Sequence, residues 1–241
     1  MKSDKTTVRI ENDTRFIKIF GSAHSKAHVF HEALNLVRIE QTALNVPSLI
    51  EVAKIEDCWA IATDYIKGKS LSDLIEENPE KKEEYLEILA ALQVQIHSIN
   101  EPLLEELKDR LHHKIRTCGL CATERFALHT RLRELPESKT VCHGDLNPSN
   151  VIIAEDGTPY LIDWARAAHG DGAADVAGTY LFFLTENDEE TAEKYLALYC
   201  QKSKTDREKI LRWVPIIAAS RLGKSSCQAY ELLLEKAKLY K

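Results

Sequence analysis

Apolar and polar positions change period several times along this 241-residue chain, and each change marks an element. Val8 to Glu11 and Phe16 to Phe20 read as two strands around Asn12-Asp13, a turn pair. In FIKIF, positions 16, 18 and 20 share one strand face, so Lys18 points the same way as Phe16 and Phe20. A lysine on an apolar face needs an anionic partner or a route to water. A bound phosphate meets that need, and so does an edge lysine that snorkels. From about Ser25 to Glu40 the period lengthens to helical, with Phe30, Ala33, Leu34 and Val37 as the apolar stripe and Glu32 at its margin. Pro47 to Val52 and Cys58 to Tyr65 return to strand character and complete a small antiparallel sheet.

Beyond residue 70 helices dominate. Ser70 or Ser72 caps a helix through Glu77, and Asn78-Pro79 ends it. Lys82 to Ile99 forms a longer amphipathic helix in which Leu86, Leu89, Ala90, Gln93 and His97 recur every three or four residues. His97 fits a satisfied core histidine, with contact to a following loop as the alternative. Leu103 to Leu135 is charge-rich and helical, and Ala173 to Leu184, Glu189 to Gln201 and Arg207 to Lys238 complete a helical end.

A strand-loop-hairpin unit interrupts the helices and carries the chemistry. Val141 to Asn150 reads VCHGDLNPSN. Val151 to Ile153 and Tyr160 to Ile162 are strands joined at Glu155-Asp156-Gly157, with Asp163 at the end of the return strand. A short hairpin returns its ends to one place, so Asn150 and Asp163 are expected close together. Phosphoryl transfer needs such a set: one carboxylate, Asp145, to orient or deprotonate a hydroxyl, and an amide and a second carboxylate, Asn150 and Asp163, to hold Mg²⁺ against nucleotide phosphates.

Composition adjusts this picture only slightly. No apolar run approaches a membrane span, and MKSDKTTVRI lacks the apolar stretch of a signal peptide, which points to a cytoplasmic location without membrane partners. The six cysteines, Cys58, Cys118, Cys121, Cys142, Cys200 and Cys227, then read as reduced thiols, several of them buried. Cys118 and Cys121 form a single CxxC near His112 and His113, where a structural zinc site would want two clear ligand pairs. The net charge of −6 arises after residue 63. It disfavours nucleic acid and is compatible with a cationic small molecule or simply with a solvated acidic surface.

The order His143-Gly144-Asp145, Asn150, Ile162-Asp163-Trp164, then Gly170-Asp171 and Asp175 before a helix, resembles the aminoglycoside phosphotransferase and choline kinase family of small-molecule kinases. Protein kinases usually read His-Arg-Asp and Asp-Phe-Gly instead. The resemblance implies an α+β, two-lobed protein-kinase-like fold, with residues 1–63 as the nucleotide-binding lobe and 64–241 as the helical lobe holding the catalytic loop. It implies an ATP- or GTP-dependent transfer to a hydroxyl of a small-molecule acceptor, by a monomer or weak dimer. Lys18, braced by Glu32 with Glu40 as a rival, would contact the α/β-phosphates. IATDYIKGKSL resembles the family's hinge, where backbone near Asp64 and Ile66 would meet the base and Thr63 would line the back of the pocket. His143 and Asp175 would support the loop. One feature departs from the family: no glycine precedes Gly21, so a glycine-rich phosphate loop is missing ahead of Lys18. That keeps open an inactive nucleotide-binding module as the alternative.

Overall fold

A computed structural model describes residues 6–100, 103–224 and 227–238; residues 1–5 of the expected N-terminal lobe, 225–226 of the expected final helical run, and the Cys227 side chain lie outside the described part. In chain order the elements are β1 (Thr7–Glu11), β2 (Arg15–Ile19), α1 (Lys26–Glu40), β3 (Leu49–Ile55), β4 (Cys58–Asp64), β5 (Gly68–Ser70), α2 (Leu71–Glu77), α3 (Lys82–His97), α4 (Leu107–Thr117) and α5 (Ala122–Glu134). There follow β6 (Thr140–Cys142), β7 (Val151–Ala154), β8 (Pro159–Leu161), β9 (Ala168–Gly170), α6 (Gly172–Thr185), α7 (Glu189–Ser203), α8 (Arg207–Leu211), α9 (Val214–Arg221) and α10 (Cys227–Ala237). Small antiparallel sheets and a helical remainder make this an α+β fold. No helix among the described residues is long and apolar enough to cross a membrane.

Contacts divide the chain into two compact units, Met1–Pro79 with Pro148–Arg166, and Glu80–Asn147 with Ala167–Lys241. This differs from a single cut at residue 63: 64–79 and 148–166 belong to the first unit, where β5, β7 and β8 form a separate three-stranded sheet tied to the N-terminal part by the Leu161 N–H, which donates to the Asn45 carbonyl, and by Asn35, which donates to the Trp164 carbonyl.

In the first unit the sheet runs β1-β2-β4-β3, all antiparallel. Asn12 and Asp13 turn the first hairpin with φ of 52° and 55°, a left-handed conformation that these two residue types tolerate. Ser25 caps α1 by accepting the His28 N–H. The buried face of α1 differs from the stripe expected from periodicity. Val29, Ala33, Leu36 and Ile39 face inward with Glu32 and Asn35, while Phe30 and Leu34 are 43% and 45% exposed. Two apolar stripes lie side by side on this helix, and the sheet selects the one that also carries Glu32. Phe20, Val29, Ala33 and Ile61 form the core between helix and sheet. Glu40 accepts the Leu49 N–H at 2.7 Å and so ties the end of α1 to the start of β3.

The second unit is helical except for the β6–β9 pair, in which Cys142 lies opposite Ala168. The expected helical stretch from Leu103 to Leu135 is two helices, interrupted between Thr117 and Ala122. Cys121 caps the second of them, with Glu124 completing the capping box. The five described cysteines are free thiols. Among the described residues no group of three or more His, Cys, Asp or Glu side chains is arranged to hold a metal ion.

Candidate active site

The first unit contains a cavity of about 300 Å³. β2 supplies Phe16 and Lys18, whose side chains share one face of the strand. The outgoing end of β4 supplies Thr63 and Asp64, followed by Tyr65 and Ile66. α1 supplies Glu32, Ala33 and Leu36, and the β7–β8 hairpin supplies another wall. Val151 pairs with Leu161, and the Ile162 N–H donates to the Asn150 carbonyl at 3.0 Å, so Asn150 and Asp163 both line the cavity. Gly157 makes the hairpin turn with φ of 86°.

Lys18 is the electrostatic centre of this cavity. Its Nζ donates to Glu32 Oε1 at 2.7 Å and lies 3.4 Å from Asp163 Oδ1. Burial works against the ammonium form, but the charges of Asp163 and Glu32 outweigh it, and the Lys18 pKa lies above its ordinary value. Glu32 is only 8% exposed, and burial pushes its carboxyl up against the opposing pull of Lys18. Asp163 has φ of 62°, a left-handed conformation that turns the chain out of β8. The segment at the end of β4 is fixed through its backbone: the Asp64 N–H donates to Ser48, and the Tyr65 N–H donates to Thr14. Thr63 directs its hydroxyl to the Asp64 carbonyl at 3.2 Å.

Asp145, His143 and Asp175 belong to the second unit. The Asp145 N–H donates to His143 Nδ1 at 3.3 Å, and Gly144 before it has φ of 82°. Asp175, in the first turn of α6, is buried and accepts the N–H groups of His143 and Gly144 at 3.1 and 2.7 Å. His97 Nε2 lies 3.1 Å from the same carboxylate. Burial alone would raise the Asp175 carboxyl. The bond and charge of His97, the His143 ring and the Gly144 N–H outweigh it and hold the pKa down at about 2.

Sequence reasoning missed several residues at both places. Asn35 is fully buried and donates to the Trp164 carbonyl at 3.3 Å, which links α1 to the segment after Asp163. Val8, Pro47, Ile152 and Trp164 line the cavity from segments far apart in sequence. Gln93 donates to Asp175, and an amide among the apolar positions of α3 was the one available signal.

Fold and site together describe a kinase-like phosphotransferase scaffold. The chain belongs to the phosphotransferase enzyme family, whose model matches residues 3–213. Solved structures share its fold at low identity. A thermostable mutant of aminoglycoside phosphotransferase APH(4)-Ia, in ternary complex with AMP-PNP and hygromycin B, matches with a TM-score of 0.68 and 16% identity, over 100% of this chain and 94% of that one. Choline kinase LicA from Streptococcus pneumoniae matches at 0.66 and 17% identity, over 97% and 89%. Aminoglycoside-3'-phosphotransferase of type VIII matches at 0.64 and 19% identity, over 90% and 94%.

Proposed function

We propose that this protein transfers the γ-phosphate of ATP, or of GTP, to a hydroxyl of a small molecule. The observation that carries the reading is one cavity lined together by Lys18, which is paired with Glu32, by Asn150 and Asp163, and by the Asp64–Ile66 segment. In this reading the first unit holds the donor. Backbone groups of Asp64 and Ile66 meet the base, Thr63 lines the back of its pocket, and Lys18 contacts the α/β-phosphates with Glu32 holding it in place. The AMP-PNP bound by the APH(4)-Ia relative agrees with a nucleotide donor.

Asn150 and Asp163 fit Mg²⁺, since one carboxylate, one amide oxygen and phosphate oxygens are the donor set this ion accepts. The ion would supply neutralisation of phosphate charge. Asp145 orients the acceptor hydroxyl and takes its proton. The hydroxyl oxygen forms a bond to the γ-phosphorus as the bond to the β-bridging oxygen breaks, and the nucleoside diphosphate leaves. His143 and Asp175 hold the loop that presents Asp145.

The acceptor site belongs to the helical unit. Amino alcohols, sugars and aminoglycosides are the candidate acceptors, and a cationic one suits the net charge of −6. A second reading, a nucleotide-binding module without turnover, is favoured by one feature: the β1–β2 turn contains no glycine, and no glycine-rich loop is present among the described residues. Release of ADP with Mg²⁺ across an acceptor panel tests both. Stimulation by one acceptor, lost in Asp145→Asn, supports transfer; nucleotide binding with no release on any acceptor supports the second reading.

A further inference from the structure

The backbone on both sides of Asp145 is held by buried side chains of α6. Asp175 accepts the N–H groups of His143 and Gly144, and Thr179, four residues later, donates to the Leu146 carbonyl at 2.8 Å. Both side chains are held in turn from α3. Gln93 Nε2 donates to Asp175 Oδ2 at 3.2 Å and to Thr179 Oγ1 at 3.4 Å. With Asp175 ionised, His97 Nε2–H donates to it. The two α3 side chains are then met from α7. Tyr195 donates to Gln93 Oε1, and the Tyr199 hydroxyl is hydrogen-bonded to His97 Nδ1 at 2.8 Å. Gln93 and His97 are four residues apart on α3, and Tyr195 and Tyr199 four apart on α7. Each pair therefore occupies one helix face, and the two contacts form adjacent rungs.

We propose that Tyr195 and Tyr199 are positioning residues for Asp145: their hydroxyls fix Gln93 and His97, which fix Asp175 and Thr179, which fix the backbone on either side of the reacting carboxylate. The proposal rests on the reading of Asp145 given above. Its physical basis is that a buried polar network holds one geometry only while every member is satisfied. Loss of one hydroxyl leaves a buried polar group unmatched and frees its neighbour to rotate. A small displacement of a reacting group costs rate rather than donor affinity. The donor-side residues Lys18, Glu32 and Asp163 are not members of this network, so donor binding is not expected to register the change.

Tyr199→Phe and Tyr195→Phe keep ring and packing and remove only the hydroxyl. Tyr180→Phe is the control, since its hydroxyl donates to Glu193 at 2.9 Å and has no bond to Asp175 or to the α3 pair. Two measurements on the full chain are needed. In acceptor-stimulated ADP release, kcat should fall about tenfold in each test variant with the donor KM unchanged. In ligand-free amide exchange by NMR, the Gly144 N–H should exchange about tenfold faster, while amides of β4 keep their wild-type rates. The control should move neither. Unchanged Gly144 exchange in both test variants overturns the proposal, as does a uniform rise of exchange over α3, α6 and α7, which would mark general destabilisation. An unchanged kcat with faster Gly144 exchange also overturns it. A wild type that releases no ADP with any acceptor removes the reading of Asp145 instead, and Gly144 exchange then decides alone whether the tyrosines hold the loop.

Discussion

Asp145 and Asp163 sit in different units and answer to different measurements, although both are short carboxylates in polar loops. If Asp145 orients the hydroxyl in the transition state, Asp145→Asn removes a proton acceptor while keeping size and shape. Turnover should then fall by about 10²-fold or more, with nucleotide affinity unchanged, as steady-state rates and calorimetry would record. Near-normal turnover would take Asp145 out of that role. Asp163 lines the cavity of the first unit and already has Lys18 at 3.4 Å. Asp163→Ala should abolish the Mg²⁺-dependent part of nucleotide binding, and calorimetry with and without the metal reads that part directly. Equal affinity under both conditions in the wild type would count against the metal role of Asp163 and Asn150. These positions were visible in the sequence because their spacing is fixed by a loop and a hairpin only a few residues long. Glu32 was also visible, as a helical glutamate following a strand lysine, though its burial was not: that depends on which of two apolar stripes the sheet covers.

Hairpins and caps were the most legible elements, since their chemistry is local. Asn12-Asp13, Ser25, Ser70 and Gly157 turn or cap the chain where their residue types suit the backbone. The cavity wall was not legible, because Val8, Pro47, Ile152 and Trp164 reach it from segments far apart in sequence that no local pattern connects. The rungs from α7 were hidden for the same reason: Tyr199 follows His97 by 102 positions. Gly68 illustrates how tightly one such pairing is set. It opens β5 opposite Ala154 of β7, and a Cβ there would come within 2.1 Å of the Ile153 carbonyl oxygen. Backbone cannot yield as a flexible side chain does, so Gly68→Ala should weaken the β5–β7 pair and destabilise the fold by about 1–3 kcal/mol. A lower urea midpoint together with weaker nucleotide binding is expected, because β5 follows the Asp64–Ile66 segment directly. A midpoint equal to wild type would mean that the strand shifts freely and that this segment is not anchored by β5.

Acid should act on the two units unequally. In the second unit Asp175 is held down at about 2 and Asp188 likewise at about 2, where Lys82 and the Thr191 N–H outweigh burial. A carboxyl whose folded pKa lies below its unfolded value of about 3.9 contributes stability that is fully present above that value. The contribution is lost as pH falls towards the folded pKa. For buried Asp175 the drop from 3.8 to about 2 corresponds to about 2 kcal/mol. Asp188 adds in the same direction, with its share reduced by solvent because its side chain is 35% exposed. In the first unit Glu32 has the opposite sign: its folded pKa is raised, so the native state takes up that proton first and acidification relieves rather than removes its contribution. Asp156 of that unit is held low, but it lies exposed on the β7–β8 turn. Amide exchange followed from pH 5 to pH 2 should therefore lose protection first in α3, α6 and α7, with β2 and β4 retaining theirs to lower pH. Asp175→Asn should flatten this dependence, since it removes the titrating group while keeping its shape. Simultaneous loss in both units would mean that they unfold as one cooperative body, and earlier loss in β2 and β4 would show that the Lys18–Glu32 pair, rather than Asp175, sets the acid limit.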